Sequence, residues 1–149
     1  MKQISYMLLT AIFLFTSCNK DESLGLEVEE PRVIEISVLY EPENASRNTR
    51  LPDNGAKVFI YYEPNLAGDP VIFDQGNLTN IYTGALLFPH QVLETDKDGR
   101  LTFTPEFDDK EFLVFIESHH YPGQVTSKLF PSFDINYKCT FLFLDLSSD

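Results

Sequence analysis

From residue 34 onward the chain alternates. Ile34, Ile36, Val38 and Tyr40 are interleaved with Glu35, Ser37 and Leu39, the period of two that marks a half-buried strand. Lys57 to Tyr62 repeats the pattern, with Val58, Ile60 and Tyr62 on one side and Phe59 and Tyr61 on the other. Glu111 to Glu117 repeats it again, setting Phe112, Val114 and Ile116 against Leu113 and Phe115. Val71 to Phe73, Leu101 to Thr104, Gln124 to Phe130 and Ile135 to Leu146 read as further strands. Ala85 to Glu94 predicts an edge strand or two short ones, because Pro89 has no N–H to give a ladder. Between these runs lie loops rich in Gly, Pro, Asn and Asp, such as 41–54, 64–70 and 74–84. No apolar stripe has a helical period. The pattern predicts an all-β fold, a seven- to eight-stranded antiparallel β-sandwich.

The first residues break this pattern. Lys2 gives a basic start, and Met7 to Phe15 is apolar apart from Thr10. Thr16 and Ser17, both small, precede Cys18, and Asn19-Lys20-Asp21-Glu22 follows. Nine residues are too few for a membrane span, which needs about 20. A basic start, an apolar core and a small-residue cleavage site make a secretory leader. With a cysteine at the cut it resembles a bacterial lipoprotein signal. The resemblance implies acyl chains (palmitate among them) on Cys18 and a lipid-anchored protein of the outer membrane. It divides the chain into a signal peptide (1–17), an acidic tether (18–31) and a sandwich domain (32–149). The tether's Lys20, Asp21 and Glu22 resemble the export signal of Bacteroidetes lipoproteins. That implies the cell surface rather than the periplasmic face; an ordinary solvated tether is the alternative reading.

Without the leader 132 residues remain, one domain's worth and enough for a core without disulfides. The leader carries one charge, Lys2, so its removal takes the net charge from −12 to −13. Such acidity repels nucleic acid and anionic surfaces, and no nucleic-acid partner is expected. With Cys18 committed to lipid, Cys139 has no partner for an internal disulfide. It lies in an apolar strand pattern and reads as a buried small hydrophobe rather than a reactive thiol.

Three stretches carry a second resemblance. Leu51-Pro52-Asp53-Asn54-Gly55-Ala56-Lys57-Val58-Phe59-Ile60-Tyr61 resembles the opening of a transthyretin-like, carboxypeptidase-regulatory-like sandwich domain, where a Pro/Gly turn leads into an Ala-x-Val-x-Ile strand. Thr95-Asp96-Lys97-Asp98-Gly99-Arg100-Leu101-Thr102-Phe103 is similar to that family's Thr-Asp-x-x-Gly turn and the strand ending in Phe. Glu111 to Ile116 followed by His119 to Gly123 is similar to its apolar strand and aromatic, Gly-containing loop. The physical roles stand without the name. Asp side chains cap free N–H groups of the turn, and the Phe fills space between the sheets. The resemblance implies a transthyretin-like or immunoglobulin-like sandwich that stabilises, links or binds rather than catalyses.

Candidate chemistry is thin. Asp96 and Asp98 sit like the first ligands of a calcium loop, but the twelfth place from Asp96 is Phe107, which offers no oxygen. The segment therefore reads as a plain turn, and no metal or cofactor is expected. His119 and His120 are neighbours that point to opposite sides of an extended backbone. Asp108-Asp109 are two of 23 acids, among which pairs arise by chance. No nucleophile elbow, zinc motif or phosphate loop occurs, and the chain is not expected to be an enzyme. Tyr61, Tyr62, Tyr82 and Tyr121 either stack on sugars or pack in the core.

Two functions follow. One is a membrane-anchored envelope lipoprotein whose sandwich is a non-catalytic binding or accessory module for a polysaccharide or an envelope protein. The alternative is a pilus-type structural subunit. Fimbrial precursors of Bacteroidetes also begin as lipoproteins and are cut after an arginine, and Arg47 and Arg50 resemble such a site.

Overall fold

The computed structural model describes residues 31–43, 49–62, 70–107, 110–132 and 136–145. Among them it is all-β, with eleven strands and no helix. These are β1 (Val33–Tyr40), β2 (Leu51–Pro52), β3 (Lys57–Tyr62), β4 (Val71–Asp74), β5 (Asn77–Asn80) and β6 (Leu86–Leu87), then β7 (Gln91–Glu94), β8 (Arg100–Phe103), β9 (Phe112–Glu117), β10 (Val125–Phe130) and β11 (Asn136–Phe143).

Two sheets make the sandwich. In the first, β1 is central: β11 lies on one side, and β2 and β8 share the other. In the second the order is β10-β9-β3-β7, antiparallel throughout. The inward rows meet between them. Ile34, Ile36 and Val38 of β1 face Val58, Ile60 and Tyr62 of β3 and Phe112, Val114 and Ile116 of β9 in one buried cluster. Phe103 and Phe130 complete it, and Phe112 stacks on Phe130 with centroids 4.9 Å apart. Each such side chain, fully buried, contributes about 1.5–3 kcal/mol.

Three features differ from the sequence expectation. The strands number more than seven or eight, because short β2 and β5 lie in stretches that read as loops. Pro89 does divide its segment into two short strands, β6 and β7. The pairing is antiparallel except for β1 with β11, which run parallel over their full length, Val33 opposite Asn136 through Tyr40 opposite Phe143. These are the first and last strands among the described residues. No hairpin joins them, so nothing local imposes an antiparallel pairing.

The third feature is a second layer. Residues 71–87 fold as a separate small sheet, β4-β5-β6, on the outer side of β3 and β9. Phe73, Leu78 and Leu87 face inward and pack with Phe59, Tyr61 and Phe115. Phe73 stacks on Phe115 at 5.2 Å, and the Tyr61 hydroxyl donates to the Gly76 carbonyl at 2.6 Å. Burial pushes the Tyr61 phenol up to about 12. The β4–β5 turn has both central residues at positive φ, Gln75 at 48° and Gly76 at 87°, the geometry of a two-residue hairpin that matches strand twist. A Cβ on Gly76 would stand 2.5 Å from the Phe59 ring, so glycine there also lets the hairpin lie close on β3. This cover is why both rows of β3 are apolar and buried.

Candidate functional site

The three sequence landmarks converge at one end of the sandwich, and Asp53 is where they meet. β2 pairs Leu51 and Pro52 with Tyr40 and Leu39 of β1, which delivers Asp53 to the end of the core. Its N–H donates to the Val38 carbonyl at 2.9 Å. The residue is 1% exposed. Oδ2 accepts from the Ser118 hydroxyl at 2.5 Å, and Oδ1 accepts from the His120 N–H at 3.1 Å. Its carbonyl accepts from the Thr95 hydroxyl at 2.6 Å, and that hydroxyl oxygen accepts from the Ala56 N–H at 3.0 Å. One buried residue thus ties β1, the start of β3, the turn before β8 and the loop after β9. Each buried polar atom in this group has its partner, which is the condition for such a group to stabilise rather than cost.

The hydroxyl of Ser118 gives its proton to Asp53 and accepts from the Tyr121 N–H at 2.9 Å. That arrangement holds a loop. The adjacent histidines diverge from it. His119 stands over Gly55 and lines a shallow cavity of about 230 Å³ with Lys57, Glu117, Ser118 and Pro122. His120 stacks on Tyr40, centroids 3.6 Å apart and planes 16° from parallel, with Tyr121 edge-on to both. The Tyr121 hydroxyl donates to the Glu41 carbonyl at 2.5 Å. His90 lies elsewhere, beside β3. Its Nδ1 accepts from the Tyr62 N–H at 3.2 Å, and its backbone N–H donates to the Ile60 carbonyl at 2.8 Å. Among the described residues no group of three or more His, Cys, Asp or Glu is placed to hold a metal ion.

Asp96 is occupied by its own turn. Its Oδ1 accepts from the N–H groups of Asp98 and Arg100 at 2.9 and 2.8 Å, and the chain turns back through Gly99 at φ 68°. Asp98 is exposed. Arg50 is exposed immediately before β2. Cys18, Lys20, Asp21, Glu22, Arg47, Asp108 and Asp109 lie outside the described residues. Of the four tyrosines weighed for sugar stacking, Tyr61 and Tyr62 belong to the core, Tyr121 is half-buried, and Tyr82 is open at 76% exposure.

Cys139 sits on β11 opposite Ile36 and packs against the main core. Burial pushes its thiol up to about 11, offset in part by the nearby Lys128 ammonium. Alkylation by iodoacetamide in the folded protein is therefore expected to stay slow at pH 8 and to accelerate about tenfold per pH unit toward 11, because only the thiolate reacts. Intact-mass time courses at four pH values would check this. A rate at pH 8 equal to that of a free cysteine would show the thiol to be exposed and unperturbed.

The role of Asp53 was not assigned from the sequence, nor those of Ser118 and Thr95. The available signal was Pro52-Asp53 just ahead of a glycine turn, a place where a carboxylate finds backbone N–H groups.

No family model matches this chain, and no curated protein is similar to it. Among solved structures, the chain is similar to GBS52, the minor pilin of the Gram-positive pathogen Streptococcus agalactiae, at 13% identity and a TM-score of 0.43. The alignment covers 80% of this chain and spans 46% of the pilin's length, a likeness too slight to carry either family or function.

Proposed function

We propose that the protein is a membrane-anchored lipoprotein of the cell envelope whose β-sandwich is a non-catalytic binding or accessory module. The observation that carries this reading is the run from Met7 to Cys18, an apolar core ending in two small residues and a cysteine. Thirteen residues lie between Cys18 and Arg32, whose buried guanidinium donates to the Pro131 carbonyl and sits over the Phe112 ring. The anchor and the first residue locked into the sandwich are thus well separated in sequence. More than one acyl chain, at about 0.8 kcal/mol per buried CH₂, suffices for stable attachment. The transthyretin-like, carboxypeptidase-regulatory-like reading draws support from the meeting of its three landmarks at Asp53. The partner is an envelope protein or a polysaccharide. The proposed location is the outer membrane, facing outward through Lys20, Asp21 and Glu22.

One observation favours the pilus-type alternative. A cut after exposed Arg50 would separate β1 from the rest of the domain, and β1 is the central strand of its sheet, with Ile34, Ile36 and Val38 at most 1% exposed. Its departure would leave a groove between β11 and β8 that a neighbour's strand can fill.

A single measurement separates the two. The intact mass of the protein purified from its native membranes is expected to correspond to a chain beginning at acylated Cys18, and Cys18→Ala is expected to move it from the detergent to the aqueous phase. A mature chain beginning at Asn48 or Leu51 would replace the first reading by the second. An unacylated chain with none of these starts would overturn both.

A further inference from the structure

β1 is the first strand among the described residues, yet it lies in the middle of its sheet. On one side it pairs parallel with β11 along its whole length, Val33 opposite Asn136 through Tyr40 opposite Phe143. On the other side it pairs antiparallel with β8, from Ile34 opposite Phe103 to Ser37 opposite Arg100, and then with β2 at Leu39 and Tyr40. Ladders on both flanks therefore hold the same strand. Its inward side chains are fixed as well, since Ile34, Ile36 and Val38 are each at most 1% exposed in the core.

The entry to β1 is locked separately. Arg32 is 3% exposed, and its guanidinium donates to the carbonyls of Pro131 and Lys110 and lies 5.1 Å from the centre of the Phe112 ring. Lys110 and Phe112 stand at the start of β9, and Pro131 follows β10, so Arg32 ties the start of β1 to the opposite sheet. The other end of β1 is the Asp53 junction. There the Asp53 N–H donates to the Val38 carbonyl and the Tyr121 hydroxyl to the Glu41 carbonyl. The strand has 8 residues. At a rise of about 3.3 Å each, the two ends stand roughly 23 Å apart.

Direction decides what a pull on such a strand does. A body held at two points turns until the line between them lies along the force. With one point ahead of Arg32 and the other at the Asp53 end, that line runs along β1. The strand can then leave only by sliding lengthwise past β11 and β8, so the ladder bonds on both flanks share the load and fail together. A pull across the strand meets the same bonds in succession, each bearing the whole force in its turn. The parallel sense of β1 and β11 makes the first geometry possible. Tension between the start of β1 and the end of β11 draws the two strands in opposite directions along their full length. In an antiparallel pair the start of one strand lies beside the end of the other, and the same tension would unzip them.

We infer that β1 is a tension clamp, through which the domain bears a load between an attachment ahead of Arg32 and a partner held at the Asp53 end. The attachment is the anchor of the lipoprotein reading, on which the clamp's biological use rests. The mechanical asymmetry itself needs no acyl chain.

The test pulls the mature chain, Cys18 to Asp149, in optical tweezers. It carries Cys18→Ser and one handle at its N-terminus. The second handle is attached after Asp149 in one sample, which loads β1 along its axis. In the other it is attached at Glu111→Cys, an exposed site between Lys110 and Phe112, which loads β1 across its axis at its start. Cys139, with its thiol pushed up to about 11, stays unlabelled during coupling at pH 7. At equal loading rate the axial rupture force is expected to exceed the transverse one at least about twofold, because forced unfolding is governed by the unfolding barrier along the direction pulled. Overall stability cannot produce that difference, and equal melting temperatures will show that the two samples share it. Equal rupture forces, or a weaker axial one, would overturn the clamp and leave the anchor untouched. A native chain without acylation at Cys18 would remove the anchor and leave the asymmetry.

Discussion

Gly99→Ala is expected to destabilise the domain by about 3 kcal/mol, lowering the melting temperature by on the order of 10 °C. Two effects add. Gly99 has φ 68°, a conformation that costs a non-glycine residue roughly 1–2 kcal/mol. Its Cβ would also stand 2.4 Å from the Val38 carbonyl oxygen and 3.0 Å from the Asp53 nitrogen. Both are backbone atoms bonded to one another, so neither side chain rotation nor a small shift relieves the clash. The Val38 N–H donates to the Gly99 carbonyl at 2.7 Å, so pushing the turn away also breaks a bond to the central strand. Gly84→Ala separates the two effects. Gly84 has φ 69° with nothing within 4 Å of an added Cβ, so only the conformational cost of about 1 kcal/mol is expected there. Urea melts of both variants followed by circular dichroism will decide the point. Equal losses at the two positions would show that the close approach of the turn to β1 contributes nothing.

Asp53→Ala is expected to cost about 3 kcal/mol and to loosen the loop after β9 before the rest of the domain unfolds. The substitution strands two buried donors, the Ser118 hydroxyl and the His120 N–H, and opens a void among β1, β3 and β9. Hydrogen exchange gives a readout beyond overall stability. The amides of His120 and Tyr121 are expected to exchange faster in the variant by a larger factor than those of Val114 or Ile116 in the core of β9. Unchanged protection of His120 would mean that Asp53 does not hold the loop. Asp53→Asn keeps the volume but places an amide hydrogen against one of the two donors, so an intermediate loss is expected.

Much of the architecture follows from local pattern. The strict alternation of Ile34, Ile36 and Val38 with Glu35 and Ser37 matches a strand whose one row is buried at 1% or less. Lys57 to Tyr62 reads as a strand and is one, with the same ends. The Thr95–Gly99 turn is built as its residues demand, with Asp96 capping two N–H groups and Gly99 at positive φ. Phe103, at the end of the strand after it, enters the core between the sheets as expected. β5 escaped because Asn77 and Asn80 are polar turn formers whose strand geometry is imposed by β4 and β6 on either side. Its one strong apolar residue, Leu78, is a single point and makes no period.

The candidate site was less legible than the fold. Asp53, Thr95 and Ser118 are separated by tens of residues, and each by itself is an ordinary turn residue. Only the packing of three loops against the end of β1 makes them one hydrogen-bonded group. Tyr61 and Tyr82 illustrate the same limit from the other side, since both are tyrosines that directly follow an isoleucine. Tyr61 is sealed under the Gln75-Gly76 hairpin and Tyr82 stands in solvent, a distinction set by where residues 71–87 fold back.

By itself the sequence determined the all-β class, most strand positions and the turn chemistry, because these depend on periods and spacings within a few residues. Tertiary structure alone decided the parallel pairing of β1 with β11, the extra sheet over β3 and the Asp53 junction. Each of these joins segments distant along the chain, and such contacts are settled by which buried surfaces and polar groups find complementary partners in space.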